Sequence, residues 1–308
     1  MAKCTSCGVR EAFYFRAYSG EKLCTKCFIE SIEGKVRATI AKYKMLSFDD
    51  RVAVALSGGK DSVSLLHILV RIEKDFPRAS LCAITVDEGI EGYRDEAVKI
   101  ASENCRALGV EHHIISFKEL YGYTLDEIVK RIKDAKRGLT PCSYCGVLRR
   151  KALNVLARRV SATKIAMANN LDDEVQTFML NIMHGDVMRI FRSGPAFNEE
   201  IEGLVPRVKP LCEVLEREVA LYAYLKGVRF QENPCPYASE ALRNDIRNML
   251  NRLEEKHPGT KYTIFRSAEK IRGKIIEKKP EVNLRRCKIC GEITVGDICQ
   301  ACKLLQDL

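Results

Sequence analysis

A chain of 308 residues, 46% hydrophobic and 30% charged, is long enough to bury a sizeable core, as one large domain or two smaller ones, beneath a densely charged surface. Its first residues, MAKCTSCG, form no apolar h-region and no run approaches membrane-spanning length, which argues against an exported or membrane protein and for a cytoplasmic one. A formal net charge of +10 fits a polyanionic partner without requiring one, and fourteen cysteines in such a chain point to metal ligation rather than disulfides.

The cysteines come first in chain order. Cys4-x-x-Cys7 and Cys24-x-x-Cys27, separated by Phe13, Tyr14, Phe15 and Gly20 among others, are spaced to set four thiolates around one tetrahedral ion. A structural zinc ribbon is therefore expected, ahead of disulfides or rubredoxin-like iron. Residues 31–45 read as a basic amphipathic helix leading into the next element.

Arg51 to Ser62, RVAVALSGGKDS, is a short apolar run that ends in small and polar residues. Val52, Val54 and Leu56 alternate with alanines as in a buried strand, and helical apolar spacing resumes from Val63 to Lys74, so the loop joins a strand to a helix. Gly58 and Gly59 permit a tight turn and close approach to a ligand, while Ser57, Ser62 and the free amides of a helix N-terminus suit phosphate oxygens. A carboxylate at Asp61 makes sense among phosphates only beside a metal or a lysine such as Lys60. The spacing is not that of a Walker loop; SGGKDS instead resembles the PP-loop of the ATP pyrophosphatase superfamily. That resemblance implies cleavage of ATP between the α- and β-phosphates and adenylation of a substrate oxygen, with Mg²⁺ balancing the charge. The bland alternative is a glycine turn ahead of a helix.

Leu81 to Val86 reads as a strand ending in Asp87-Glu88-Gly89, followed by a helix over 94–108 that Gly109 would cap. A strand at 110–117 and a helix at 124–136 come next. Lys164 to Ala168 supplies another strand, then Asn169-Asn170-Leu171-Asp172-Asp173 opens a helix running to Met183. Strands alternating with helices predict an α/β fold with a parallel sheet and a ligand beyond the carboxyl ends of its strands. Asp172 and Asp173 suit the start of a helix as caps, yet they also lie at a strand's carboxyl end, and Asp173 is the expected active-site carboxylate.

Between these elements lies Thr140-Pro141-Cys142-Ser143-Tyr144-Cys145-Gly146, followed by a basic helix with Arg149, Arg150 and Lys151. This third CxxC has no second pair; one other cysteine, Cys235, sits in a comparably rigid loop, Asn233-Pro234-Cys235-Pro236-Tyr237. Three thiolates suit a cubane iron–sulfur cluster with one iron left open, a redox-active CxxC, or a zinc site with an outside ligand, and spacing alone does not choose among them. Cys82, Cys105 and Cys212 read as small buried hydrophobes, and His67, His112 and His113 as structural.

Residues 183–203 read as a mobile lid or a long connection. Val205 to Leu211 leads into a helix over 213–226, and after Cys235 come helices over 240–256 and 261–272 with Arg243, Arg247, Arg252 and Arg266. A basic linker over 272–286, with Lys274, Lys278, Lys279 and Pro280, reaches a second four-cysteine ribbon, Cys287, Cys290, Cys299 and Cys302, beside Arg285, Arg286 and Lys288. Basic residues on the helix after Cys145, in the C-terminal half and on this ribbon suggest a track for RNA phosphates. The expected domains are an N-terminal zinc ribbon at 1–30, a PP-loop catalytic domain at 31–272, and a linker with the C-terminal zinc ribbon at 273–308. The ribbons are also candidates for homodimer contacts.

Taken together, SGGKDS, the pair Cys142 and Cys145, the distant Cys235 and a Cys4 ribbon at each end resemble the tRNA 2-thiolation enzymes of the TtuA group, relatives of the TtcA thiolases. The resemblance spans essentially the whole chain. It implies a tRNA uridine 2-sulfurtransferase that adenylates the C2 oxygen and replaces it with sulfur held at a 4Fe-4S cluster on Cys142, Cys145 and Cys235, using ATP with Mg²⁺, two zinc ions, and a ubiquitin-like thiocarboxylated carrier as sulfur source. The T-loop 5-methyluridine at position 54 is the expected target, and the wobble uridine the alternative. Ser57, Gly58, Gly59, Lys60, Asp61 and Ser62 fall in the pyrophosphate motif; Arg149 matches a basic residue proposed to help ATP or catalysis, and Asp173 the acidic residue of a GHNxDD-type turn. Here Ala168-Asn169 stands in place of Gly-His. Adenine is expected along the backbone at Ala53, Val54 and Ala55 and at Thr85, Val86 and Asp87. Two other readings have a weaker basis: an amide-forming ATP pyrophosphatase, which leaves the cysteines unexplained, and a non-enzymatic RNA-binding scaffold.

Overall fold

A computed structural model describes residues 2–134, 140–196, 201–237, 241–276, 284–306 and 308. The expected helix ends at Lys136 and Glu240, part of the connection at 183–203, and Lys278, Lys279 and Pro280 of the basic linker lie outside the described residues.

At the N-terminus an antiparallel pair, β1 (Tyr14–Arg16) and β2 (Glu21–Leu23), turns at Gly20 and delivers the chain into α1 (Thr25–Lys42). This helix starts earlier than its apolar spacing suggests because the second cysteine knuckle forms its first turn, with Cys24 as N-cap; Phe28, Ile32 and Val36 then make the buried stripe.

The sheet is built next. Strand β3 (Arg51–Ala55) runs into α2 (Lys60–Glu73), β4 (Ser80–Asp87) into α3 (Arg94–Leu108), and β5 (Glu111–Ser116) into α4 (Phe117–Tyr121) and α5 (Leu125–Asp134). Gly109 closes α3 in the left-handed conformation at φ 68°, as its position predicts. Helix α6 (Pro141–Arg159) opens with Pro141 in its first turn and Thr140 as N-cap, the hydroxyl accepting from Ser143 N at 3.3 Å. Strand β6 (Lys164–Ala166) precedes α7 (Leu171–Met183), and α8 (Val187–Arg192) lies in the stretch read as a lid or connection. A two-residue edge strand, β7 (Arg207–Val208), precedes α9 (Glu216–Leu225), α10 (Ala241–Lys256) and α11 (Thr260–Ile276). The chain ends with β8 (Arg285–Arg286), β9 (Ile293–Thr294) and α12 (Gln300–Gln306).

The central sheet has five strands in the order β5-β4-β3-β6-β7, all parallel. From β3 the chain moves outward through β4 to β5, then crosses back to the other side of β3 for β6. The ends of β3 and β6 therefore flank the crevice where an open α/β sheet binds its ligand. Side-chain alternation splits the core. Val52, Val54 and Leu56 pack with α1, α2 and α9 on one face, while Ala53, Ile84 and Ile165 pack with α5 and α6 on the other. Cys4, Cys24 and Cys27 join the first core and Cys287, Cys299 and Cys302 the second, so the two terminal four-cysteine clusters anchor opposite faces of the sheet. Among the described residues, no helix is long and apolar enough to cross a membrane.

Candidate active site

The loop after β3 is held from inside. Ser62 Oγ accepts from Ser57 N at 3.1 Å, lies 3.1 Å from Ser57 Oγ and donates to Gly59 O at 2.9 Å. Gly58 takes φ 89°, open to glycine but not to ordinary side chains. Gly59 is the N-cap of α2 and supplies no side chain to its first amides, which leaves the positive end of the helix facing the crevice. The helix begins at Lys60, within SGGKDS, so the loop is shorter than the apolar spacing suggests. The Ser57 hydroxyl and the helix amides form an anion cradle, and Ser62, whose hydroxyl hydrogen goes to Gly59 O, braces it.

Charged groups ring this cradle. Lys60 Nζ lies 2.9 Å from Asp61 Oδ2 and 2.9 Å from Glu216 Oε1. Burial pulls the Lys60 ammonium down, but Asp61 and Glu216 outweigh it and hold it above its ordinary value. Asp61 Oδ1 accepts from Asn170 Nδ2 at 3.3 Å, which joins the two strand ends. Asn170 and Asp173 form a reciprocal capping box: Asp173 N donates to Asn170 Oδ1 at 3.1 Å, and Asn170 N to Asp173 Oδ2 at 3.2 Å. Asp172 is turned away and buried, accepting from Glu216 N at 2.9 Å and paired with Lys261. Of the two neighbours, Asp173 is the one that feels Asp61. Burial first, and then the Asp61 charge, push Asp173 up to about 6; burial likewise raises Asp61 despite Lys60. Two carboxyl groups that resist sharing their charges suit a hard divalent cation, which would relieve both, so Asp61 and Asp173 fit Mg²⁺.

The third CxxC lies in the first turn of α6, where the helix dipole favours thiolates. Cys142 Sγ lies 3.1 Å from Tyr237 O, and Tyr237 OH donates to Asp126 Oδ1 at 2.7 Å, which pins the loop carrying Cys235. Cys145 is buried, and burial pushes its thiol up to about 11 against the pull of Arg149; Cys235 and Cys142 act on it as neighbouring charges. The three thiols thus share one electrostatic neighbourhood. Arg149 Nη2 lies 3.1 Å from Cys145 Sγ, and its Nε 2.5 Å from Glu88 Oε1; the Glu88 charge above all keeps this guanidinium firmly protonated. Among the described residues, only the terminal sets bring three or more His, Cys or carboxylate donor atoms within 4.8 Å of one another, so Cys142, Cys145 and Cys235 do not close to that range. Thiolates bound to different irons of a cubane stand further apart than thiolates sharing one ion, so three soft donors with a fixed cation beside them fit a 4Fe-4S cluster.

Cys4, Cys7, Cys24 and Cys27 converge at one end, and Cys287, Cys290, Cys299 and Cys302 at the other. Every cysteine is free of disulfides. Backbone N–H groups, from Cys7 foremost at Cys4 and from Cys299 foremost at Cys287, hold both thiols at about 6 and so favour the ligating thiolate. Both sets have the donors of structural zinc sites.

Of the expected adenine residues, Ala53, Val54 and Thr85 are wholly buried, and β3 is paired on both sides. Thr85 Oγ1 donates to Leu56 O at 2.7 Å, and Asp87 Oδ1 accepts from Gly89 N at 2.9 Å. Val86 O accepts from Arg94 Nη2 at 2.6 Å. The open part of this edge is the end of β3 at Ala55 and the loop beyond it. His67 and His112 are structural, the first against Asn104 and the second between Thr85 and Ser102. Sequence reading assigns no role to Glu88, Arg94, Asn170 or Glu216, all of which border the site; Glu88 stands in the turn after β4, the only signal that could have marked it.

A cationic surface adjoins the cysteines. Arg207 Nη2 donates to Arg150 O at 2.8 Å; burial and the Arg150 charge push Arg207 down to about 10, and burial, then Arg189 and Arg149, push Arg150 down. Arg189 and Arg149 are paired with Asp186 and Glu88, whereas Arg150 and Arg207 have no ion pair among the described residues and present a site for phosphate.

The sequence matches the model of the PP-loop domain over residues 30–254. The tRNA 2-thiolation protein NcsA of Haloferax volcanii is 37% identical over 321 aligned residues, which cover 99% of this chain and 99% of that protein. The tRNA-5-methyluridine(54) 2-sulfurtransferase of Pyrococcus horikoshii is 36% identical, covering 98% of this chain and 93% of its own length. Among solved structures, the U34-tRNA thiolase NcsA from Methanococcus maripaludis with its 4Fe-4S cluster matches with a TM-score of 0.86 and 35% identity, covering 100% of this chain and 97% of that one. The chain belongs to the PP-loop family of tRNA 2-thiolation proteins.

Proposed function

We propose that the protein is an ATP-dependent tRNA uridine 2-sulfurtransferase. What supports this reading is the pairing of a phosphate cradle at the end of β3 with the CxxC at the start of α6, linked through Arg149, Glu88 and Arg94. Ser57 and the first amides of α2, braced by Ser62, receive the pyrophosphate portion of ATP. Lys60 offsets its charge, and Asp61 with Asp173 hold Mg²⁺. The uridine O2 attacks the α-phosphorus, pyrophosphate leaves, and O2 becomes part of an AMP leaving group. Arg149 stands where positive charge stabilises the departing phosphate. Cys142, Cys145 and Cys235 would hold a 4Fe-4S cluster, whose chemistry would be to bind sulfide. Sulfur for C2 comes from a ubiquitin-like thiocarboxylated carrier: water cleaves its C–S bond to leave the carboxylate, the sulfide forms the C2–S bond as the C2–O bond breaks to release AMP, and no oxidation state changes; Arg150 and Arg207 contribute to the tRNA backbone track. The terminal cysteine sets hold zinc and the ribbons are the surfaces for a homodimer; the expected divisions after residues 30 and 272 fall inside α1 and α11, so each ribbon is continuous with the catalytic domain through a helix.

Two target nucleotides are in play. The relative from Pyrococcus horikoshii is named for 5-methyluridine 54, the target expected from sequence; the solved structure that this chain matches from end to end is a U34-tRNA thiolase, which favours the wobble uridine as a second reading. The test is anaerobic reconstitution with iron and sulfide, then incubation with ATP and unmodified or 5-methyluridine-54 tRNA, with AMP counted and the thiolated nucleotide mapped. AMP release that requires both tRNA and sulfide is expected, and the mapped position decides between the uridines. AMP release with ammonia and no tRNA would mean an amide-forming enzyme instead.

A further inference from the structure

The PP-loop is tied to the three-cysteine site by two separate straps. The first runs through side chains. Arg94 Nη1 donates to Ser57 O at 2.9 Å, in the loop itself, and Arg94 Nη2 to Val86 O at 2.6 Å, at the end of β4. Arg94 Nε lies 2.7 Å from Glu88 Oε2; the other oxygen of that carboxylate lies 2.5 Å from Arg149 Nε, and Arg149 Nη2 rests 3.1 Å from Cys145 Sγ. The second strap is backbone. Gln231 N donates to Gly58 O at 2.9 Å, and Gln231 Nε2 to Tyr93 O at 2.7 Å, where the chain enters the loop bearing Cys235.

We infer that Glu88 is a positioning residue that locks the nucleotide loop to the cysteine-bearing helix by dividing its carboxylate between Arg94 and Arg149. Glu88 and Arg94 are 2% and 5% exposed, so neither gains much from water; Arg94 has Glu88 as its charge partner, and Glu88 has Arg94 and Arg149. Arg149, about half exposed, is the end of the strap that meets solvent. Ordering Ser57 around a nucleotide orders Arg94, then Glu88, then the guanidinium over Cys145. Nucleotide occupancy is thereby felt at the sulfur, and by linkage the state of the cysteine site is felt by the nucleotide. This inference rests on the proposed nucleotide site but not on RNA or sulfur transfer.

The test uses the full chain, zinc-loaded and without cluster, with Mg²⁺ and α,β-methylene-ATP as the probe. Binding is followed by calorimetry, and alkylation of Cys145 by iodoacetamide is timed by mass spectrometry. In the wild type the analogue should slow Cys145 alkylation by about fivefold or more, the lower end of ordinary site-to-site coupling. Glu88→Gln should still bind the analogue but lose most of that protection. Glu88→Asp keeps the charge on a shorter arm, should retain part of it, and serves as the informative variant if Glu88→Gln does not fold. Protection that survives undiminished in either variant is shielding by the nucleotide itself and overturns the inference, as does binding to the wild type with no protection. Failure of the wild type to bind the analogue overturns the nucleotide site and with it this inference, whereas binding without protection overturns the inference alone.

Discussion

Gly58 runs so close beneath α3 that a Cβ placed on it would stand 2.4 Å from the carbonyl oxygen of Ala97. That oxygen belongs to a helix backbone and cannot swing aside, and Gly58 also holds φ 89°. Gly58→Ala should therefore cost at least about 1–3 kcal/mol from the dihedral alone, before any displacement of the loop. Gly59 differs: its φ is −79°, and an added Cβ would meet only Ser57 Oγ at 3.6 Å. Gly59→Ala should cost under about 1 kcal/mol, the weaker N-cap alone. Thermal unfolding of both variants, followed by ATP titration, should show Gly58→Ala less stable and unable to bind, and Gly59→Ala close to wild type in stability.

Asp173 should impose a pH dependence of definite sign. Its carboxyl rises from an ordinary 3.8 to about 6 in the folded chain, through burial and then the Asp61 charge. Between those values the folded state binds more protons than the unfolded one, so its contribution is fully present below pH 4 and is lost as pH rises through 6. Asp173→Asn keeps an oxygen for the Asn170 amide and removes the charge. The variant should gain up to about 3 kcal/mol of stability at neutral pH and show a flatter stability profile between pH 4 and 6. AMP formation should fall by at least about a hundredfold, since a ligand for Mg²⁺ is lost. Denaturant melts across pH, with and without Mg²⁺, check both halves.

The divide between what is legible in the sequence and what is not follows the range of the forces. SGGKDS between a strand and a helix is legible because the alternation of Val52, Val54 and Leu56 and the glycines are local signals. The paired CxxC spacings are legible for the same reason, and the converging sulfurs at each end bear them out. Strand β7 is hidden: two residues, Arg207 and Val208, have no periodicity to display, and only pairing, with β6 on one side and at Val208 with Ala196 on the other, makes them a strand. Asp172 and Asp173 both suit a helix start, and only the rotation of α7 against Lys261 decides which one remains beside Asp61. Apart from its place in the turn after β4, nothing in the sequence marks Glu88, because its partners at positions 94 and 149 meet only when α3 and α6 close over the end of β4.

Arg16 should be the largest single electrostatic contribution to seating the N-terminal cysteine cluster. Glu218 on α9 is 0% exposed, and Arg16 Nε meets its Oε1 at 2.7 Å; Tyr18 donates to the same carboxylate at 3.1 Å. Arg16→Met strands most of a buried charge and should cost about 3–5 kcal/mol. Arg37 and Asp75 make a shorter contact at 2.6 Å, but on the surface, at 48% and 59% exposure. Arg37→Met should cost less than about 1 kcal/mol despite the closer distance. Urea unfolding of the two variants side by side tests whether burial rather than distance sets the difference.

The two terminal clusters should fail in different ways when a ligand is removed, because they support opposite faces of the sheet. Cys299, Cys302, Ala301 and Leu304 pack into the same core as Tyr144 and Leu148 of α6, and Lys151 Nζ of that helix lies 3.8 Å from Cys302 Sγ. The helix that presents Cys142 and Cys145 therefore leans on the C-terminal cluster. On the other face, Cys24 packs into the core shared by α1, α2 and α9, away from α6. Cys299→Ser and Cys24→Ser should each lower zinc from two ions per chain to one, given the two four-cysteine sets. Their effects on anaerobic iron uptake should differ: Cys299→Ser loosens the base of α6 and lowers the iron bound per chain, whereas Cys24→Ser leaves it at the wild-type level while reducing thermal stability. Metal analysis and visible absorption of both reconstituted variants make the comparison, and equal loss of iron in the two would show that α6 does not depend on the C-terminal cluster.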